Sequence, residues 1–312
     1  MTDRAALWGL GLVLVLVLVA AAARLLAPGR EGDSSGAPGD AAWYGTAAPT
    51  AVVALTLTAA GQYMAPGAVA GTPTTFAIST TTSGGQVYID ASAPNPRSSR
   101  HGGSAFERAN ITVGAGRKPW VVRNVIVFPR GPGVSPSVET NILGLAPIYE
   151  GGEPPRHTAV MALDLRASPT LYIWGPGDPS PLPSTRLAEQ CWGAYMGAYG
   201  AEATATSAGG QPHEVYVRFD VSAEDSYVIA AHGGATAPFG SAVAIKFSGG
   251  APYAAQLRGG VRQDRGWRWR HPVIVLGRSA IRGRVLVYDH ADATFTLLGP
   301  AAAKEGGAGG PQ

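Results

Sequence analysis

Two stretches of this sequence place reactive or close-approach residues at the end of an apolar alternation. In the first, Val215, Val217 and Phe219 alternate up to Asp220-Val221-Ser222, so a carboxylate falls where a strand gives way to a loop, with Asp225-Ser226 as an alternative a few residues on. In the second, the turn signal Gly71-Thr72-Pro73 leads through Phe76 and Ile78 into residues 80–85, and Val87 and Ile89 resume the alternation. Residues 80–85 are small, polar and Gly-rich, so their backbone can approach another group closely. Each stretch is followed, after nearly the same interval, by two apolar residues and a glycine: Gly144 after Thr81, and Gly277 after Asp220. Two similar halves would produce this repeat.

Other chemistries find less support. There is no phosphate-binding P-loop and no H-E-x-x-H pair. The six histidines are scattered without ligand-like spacing, so neither a metal nor another cofactor is implied. Residues 265–271, Arg-Gly-Trp-Arg-Trp-Arg-His, have the composition of a phosphate or headgroup site. Arg and Trp alternating on a strand also fit one wet and one packed face, the plainer reading.

The elements that must hold these loops are strands. The chain has 312 residues with 43 Gly and 25 Pro, a composition of many turns and few long helices, and it is long enough for one large core or two lobes. The formal charge of +3 is mild, and Lys occurs only at 118, 246 and 304, so no nucleic-acid partner is expected. Cys191 is the single cysteine, which excludes an intrachain disulfide.

Residues 5–23 are uninterruptedly apolar between Arg4 and Arg24, enough to cross a bilayer. The small residues 20–23 also suit a cleaved signal peptide, but the length favours a retained anchor, and either way the remainder is expected outside the cytosol. The expected organisation is an anchor or signal segment at 1–28 and a flexible linker rich in Gly, Ala, Pro and Ser at 29–50. Two β lobes at 51–180 and 181–300 and a polar tail at 301–312 complete it.

Several segments resemble the pepsin-like aspartic proteases. Gly71-Thr72-Pro73, Phe76, Thr81-Thr82-Ser83-Gly84-Gly85 and Val87-Tyr88-Ile89 resemble that family's first active-site segment, and Gln62-Tyr63 sits where a Gln/Glu-Tyr pair precedes it. Ile111-Thr112-Val113-Gly114-Ala115-Gly116 is similar to the flap that closes over the cleft, and Asn141-Ile142-Leu143-Gly144-Leu145-Ala146 to a strand beside the catalytic loop. Residues 173–178 and 243–253 are similar to two later segments. The most specific match is the ending: Leu276-Gly277, a short helix through Ile281-Arg282, then Val285-Leu286-Val287-Tyr288-Asp289 and a last strand from Phe295. Together these span roughly residues 60–299.

The resemblance implies a mostly β, bilobed pepsin-like fold behind an N-terminal transmembrane helix, with barrel-like lobes. It implies Asp220 as the second catalytic position and Thr81 where the first catalytic Asp stands in the family. Thr82, Ser83, Val113, Gly114 and Gly116 would line the cleft and flap, with Val113 replacing the flap tyrosine. Arg278 stands where the family has Asp, and the family's usual cysteines are missing. A pair of carboxylates shares a proton in that mechanism, and a site reduced to one should turn over little substrate. The expected function is therefore a membrane-anchored pseudoprotease that binds an extended peptide or protein, or serves a structural role. The alternatives are a divergent active endopeptidase pairing Asp220 with another carboxylate, such as Asp225, and a structural protein of a virion or envelope.

Overall fold

A computed structural model describes residues 41–44, 46–81, 88–89, 107–115, 118–127, 141–145, 160–179, 181, 190–194, 200–231, 239–248, 250, 252–262, 270–290 and 294–299. The expected anchor, most of the linker, the tail, Thr82, Ser83 and Gly116 lie outside these. Among the described residues no helix is long and apolar enough to cross a membrane. The chain divides into two compact units, Met1–Gly45 and Thr46–Gln312. The described part of the first is a single 3-10 turn, Ala41–Tyr44, in which the Trp43 and Tyr44 rings meet edge to face.

The second unit is mostly β, and alternation explains most of its strands. His213–Asp220 and Ala242–Phe247 bury every second residue (Val215, Val217 and Phe219; Val243, Ile245 and Phe247), with the intervening positions half-buried in the first strand and exposed in the second. Val160–Asp164 and Val273–Gly277 bury all five residues, as interior strands covered on both faces do. Among the described residues the only α-helix is one turn, Arg278–Ile281.

Two of the three sheets share one plan. In the first, the hairpin Tyr63–Val69/Thr72–Ser79 pairs its second strand, in parallel, with Asn141–Gly144. In the second, the hairpin Ala201–Ser207/His213–Asp220 pairs its second strand, in parallel, with Val273–Gly277. The plans diverge one strand further out, where Tyr88–Ile89 runs parallel to Asn141–Gly144 and Tyr227–Ile229 runs antiparallel to Val273–Gly277.

The third sheet takes strands from both sides of residue 180. Its order is Ala51–Ala54, Thr170–Trp174, Val160–Asp164, Val285–Asp289, Thr294–Leu298 and Gln190–Ala194, antiparallel throughout. The main core draws on all three sheets. Phe219 packs edge to face on Phe295 at 4.9 Å between ring centroids, and Phe295 on Phe247 at 5.1 Å.

The ending follows the expected order of strand, short helix and two strands, and Ala242–Phe247 pairs with Tyr253–Gln256. Residues 120–122 and 124–128 read as separate strands, but Trp120–Val127 is continuous. Arg123 and Asn124 break the apolar alternation at a register irregularity, which a strand absorbs without ending.

His290, just past Val285–Asp289, is fully buried and lies 2.8 Å through Nε2 from the Leu145 carbonyl, tying the third sheet to the end of Asn141–Gly144. Burial pushes its pKa down to about 4, against the milder opposing pull of that carbonyl. The unfolded chain therefore takes up a proton at this ring in a pH range where the folded one does not. The neutral ring's contribution is complete above pH 6.5 and is lost as pH falls toward about 4. At roughly 1.4 kcal/mol per pH unit this amounts to about 3 kcal/mol. Urea unfolding at neutral pH and near pH 4 should show that loss in the wild type and a smaller one in His290→Gln.

Candidate functional site

The two related sheets meet through the residues that end their equivalent strands. Ile78 pairs with Leu143 and Ser79 with Gly144; in the other sheet Phe219 pairs with Leu276 and Asp220 with Gly277. The ladders therefore make Ser79 the counterpart of Asp220, and Thr80 the counterpart of Val221. Sequence spacing had put Thr81 in that place, two residues too far along. The register follows from the last inward apolar residue of each strand, Ile78 or Phe219, which the spacing from Phe76 does not mark.

Thr80 makes the contact between the halves. It is 1% exposed. Its hydroxyl donates to the Phe219 carbonyl at 2.6 Å and accepts from the Val221 N–H at 3.1 Å. These bonds bracket Asp220 and bring the loop after Ser79 against the loop after Phe219. Val221, in the equivalent position, has no hydroxyl to return the contact.

Both strand-end side chains turn back on their own loops. Asp220 Oδ1 accepts from the Ser222 N–H at 3.0 Å, the Ser222 hydroxyl at 2.5 Å and the Ala223 N–H at 3.3 Å. Ser79 Oγ accepts from the Thr81 N–H at 3.2 Å and donates to the Thr81 carbonyl. A side-chain oxygen over the N–H two residues on is the common element, the device by which Asp and Ser fix turns. Asp220 Oδ2 is 3.4 Å from the Tyr227 hydroxyl, which donates to it. Burial, and after it the Asp220 charge, hold the Tyr227 pKa above the ordinary tyrosine range, while the Arg262 guanidinium lies 3.6 Å over the ring.

The loop carrying Asp220 is fastened to the segment after Val273–Gly277. The Gly277 N–H donates to the buried Ser226 hydroxyl at 3.1 Å, Arg278 N–H to the Ala223 carbonyl and Ser279 N–H to the Glu224 carbonyl. A Cβ at Gly277 would stand 2.7 Å from the Asp225 carbonyl, so only glycine allows this approach. Glu224 receives Arg278 through Nε and Nη2, at 3.0 and 2.8 Å, and Arg282 through Nη2 at 2.8 Å. The Arg278 hydrogen bond, ahead of other causes, holds the Glu224 carboxyl below its ordinary range. The same guanidinium lies against Gly61, where a Cβ would come within 2.2 Å of it, so Arg278 spans both sheets.

The remaining sequence candidates fall elsewhere. Val113 is fully buried in the core, paired with Gly67 and Trp120, and presents no side chain to an open cleft. Gly114 turns the chain at φ +96°. Thr82, Ser83 and Gly116 lie outside the described residues. Asp225 is on the Asp220 loop, but among the described residues the hydrogen-bond partners of Asp220 are Ser222, Ala223 and Tyr227, none of them a carboxylate. Among the described residues no group of three His, Cys, Asp or Glu could hold a metal ion. Sequence reasoning missed Thr80, Tyr227 and the Arg278–Glu224 pair, which no local pattern marks.

The described residues thus define a mostly β protein in which two related sheets meet where Ser79 and Asp220 hold equivalent strand-end positions. No family model matches the chain, and no curated protein matches it. Among solved structures it is similar to the crystal structure of aspartic proteinase from Irpex lacteus, with a TM-score of 0.48 and 11% sequence identity, over 80% of this chain and 97% of that one. At that identity the likeness says nothing about catalytic residues.

Replacing Thr80 by Val keeps its shape and removes both cross-sheet bonds, leaving the Phe219 carbonyl and Val221 N–H without that partner. The expected cost is about 2–3 kcal/mol in chemical unfolding, against less than about 1 for Thr80→Ser.

Proposed function

We propose that this chain is a catalytically impaired homologue of the pepsin-like aspartic proteases, a pseudoprotease that serves as a binding or structural module. In this reading residues 5–23 anchor it in a membrane and the globular part stands outside the cytosol. The observation that carries the proposal is the equivalence of Ser79 and Asp220. Acid–base catalysis by paired carboxylates needs two groups close enough to share a proton. A serine hydroxyl that already donates to a backbone carbonyl supplies neither the base nor the acid. The surviving carboxylate is itself engaged in its own turn.

Loss of that chemistry leaves backbone recognition intact. An extended peptide that pairs with a strand edge draws affinity from main-chain hydrogen bonds and specificity from alternate side chains, and needs no catalytic carboxylate.

The test is an assay of the full chain against denatured protein from acid to neutral pH. No pepstatin-sensitive cleavage is expected, and Asp220→Asn should change nothing. Ser79→Asp, which adds the carboxylate at the position matching Asp220, should raise cleavage above the wild-type level, whereas Thr81→Asp should not. Robust turnover by the unmodified protein, abolished by Asp220→Asn, would overturn the proposal in favour of a divergent peptidase.

A further inference from the structure

Asn110 occupies a position that the junction chemistry does not explain. The chain has four asparagines, at 95, 110, 124 and 141, and only Asn110 has Ser or Thr two residues later, in Asn110-Ile111-Thr112. Asparagine is disfavoured inside strands, yet this one lies within Glu107–Val113. Ile111 and Val113 are fully buried, so the alternation sends Asn110 and Thr112 to the opposite face. Asn110 is exposed and Thr112 partly so.

The strand is irregular at this residue. The pairing moves from Ala109 opposite Val125 to Ile111 opposite Val122, which leaves Asn110 facing both Arg123 and Asn124. Such a bulge bends and twists the ladder locally. The backbone of Asn110 is held at its place: its carbonyl accepts from the Ala70 N–H at 2.8 Å. Beside it, opposite Thr112, Val121 is 54% exposed, one of the few large apolar side chains given to solvent among the described residues.

We propose that Asn110 is a modification site that carries an N-linked glycan. The inference rests on the reading that the globular part lies outside the cytosol. The donor is a lipid-linked oligosaccharide diphosphate, supplied with its transferase by the secretory compartment. The Asn110 carboxamide nitrogen forms a bond to C1 of the first sugar, the C1–O bond to the diphosphate breaks, the lipid diphosphate leaves and the amide gives up one proton. The sugar then stands on the solvent face of the hairpin, next to Val121, and displaces nothing from the core beneath Ile111 and Val113.

The full chain translated with transferase-competent microsomes tests this. One glycan per chain is expected, seen as a single glycosidase-sensitive mobility shift, and enzymatic release should convert residue 110 from Asn to Asp. Asn110→Gln and Thr112→Ala should each abolish the shift, and Thr112→Ser should retain it. Added protease separates the two underlying ideas. A chain protected by the membrane but unglycosylated at residue 110 overturns the acceptor alone. A chain open to protease and unmodified overturns the acceptor and the extracytosolic reading together.

Discussion

A single buried hydroxyl, that of Thr80, sets how the two related sheets meet. It satisfies the carbonyl before Asp220 and the N–H after it, two backbone groups that a strand end otherwise leaves without a ladder partner. Both bonds come from one atom, so moving either loop away from it loses both. The positions of Ser79 and Asp220 follow from that contact. Phe219, whose carbonyl Thr80 holds, also packs against Tyr288 and Phe295 and so joins the second sheet to the third.

What a fold needs from these positions differs from what catalysis needs. A strand end followed by a tight turn needs an oxygen over the N–H two residues on, and Ser79 and Asp220 each supply one. Hydroxyl and carboxylate are nearly interchangeable for that purpose. They are not interchangeable in charge or in proton affinity. The architecture therefore tolerates Ser79 fully, and only the chemistry distinguishes it. Around Asp220, the Glu224–Arg278 pair and the glycine-only approach at Gly277 hold the loop without calling on the Asp220 carboxylate.

Much of this was legible in the sequence. His213–Asp220 and Ala242–Phe247 show period two, and the ending from Val273 onward reads as a strand, a helical turn and two strands. The recurrence of two apolar residues and a glycine pointed to two similar halves, which the structure builds as two related parallel pairings. Exact register was not legible. The Gly-rich loop after Ser79 offers several small polar residues, and only the pairing of Ile78 with Leu143 shows which one stands at the strand end. Contacts between distant segments were invisible for the same reason: Thr80 to Phe219, Arg278 to Gly61 and His290 to Leu145 are set by topology and leave no local pattern. Val113 shows the converse hazard, a motif position whose burial in the core follows from its own strand's alternation.

The third sheet has a consequence for how the chain comes into being. Val160–Asp164 lies between Thr170–Trp174, which follows it closely, and Val285–Asp289, made more than a hundred residues later. Until that late segment leaves the ribosome, the earlier strands wait with one side of their backbone open. Open strand edges recruit other chains, and sheets that depend on distant pairing close slowly. Synthesis of this protein thus contains a vulnerable interval that begins with residue 164 and ends only when Thr294–Leu298 slots in beside Val285–Asp289. A ribosome that stalled within that span would present an unfinished sheet to its neighbours, and a chaperone that covers exposed strands during synthesis would act there.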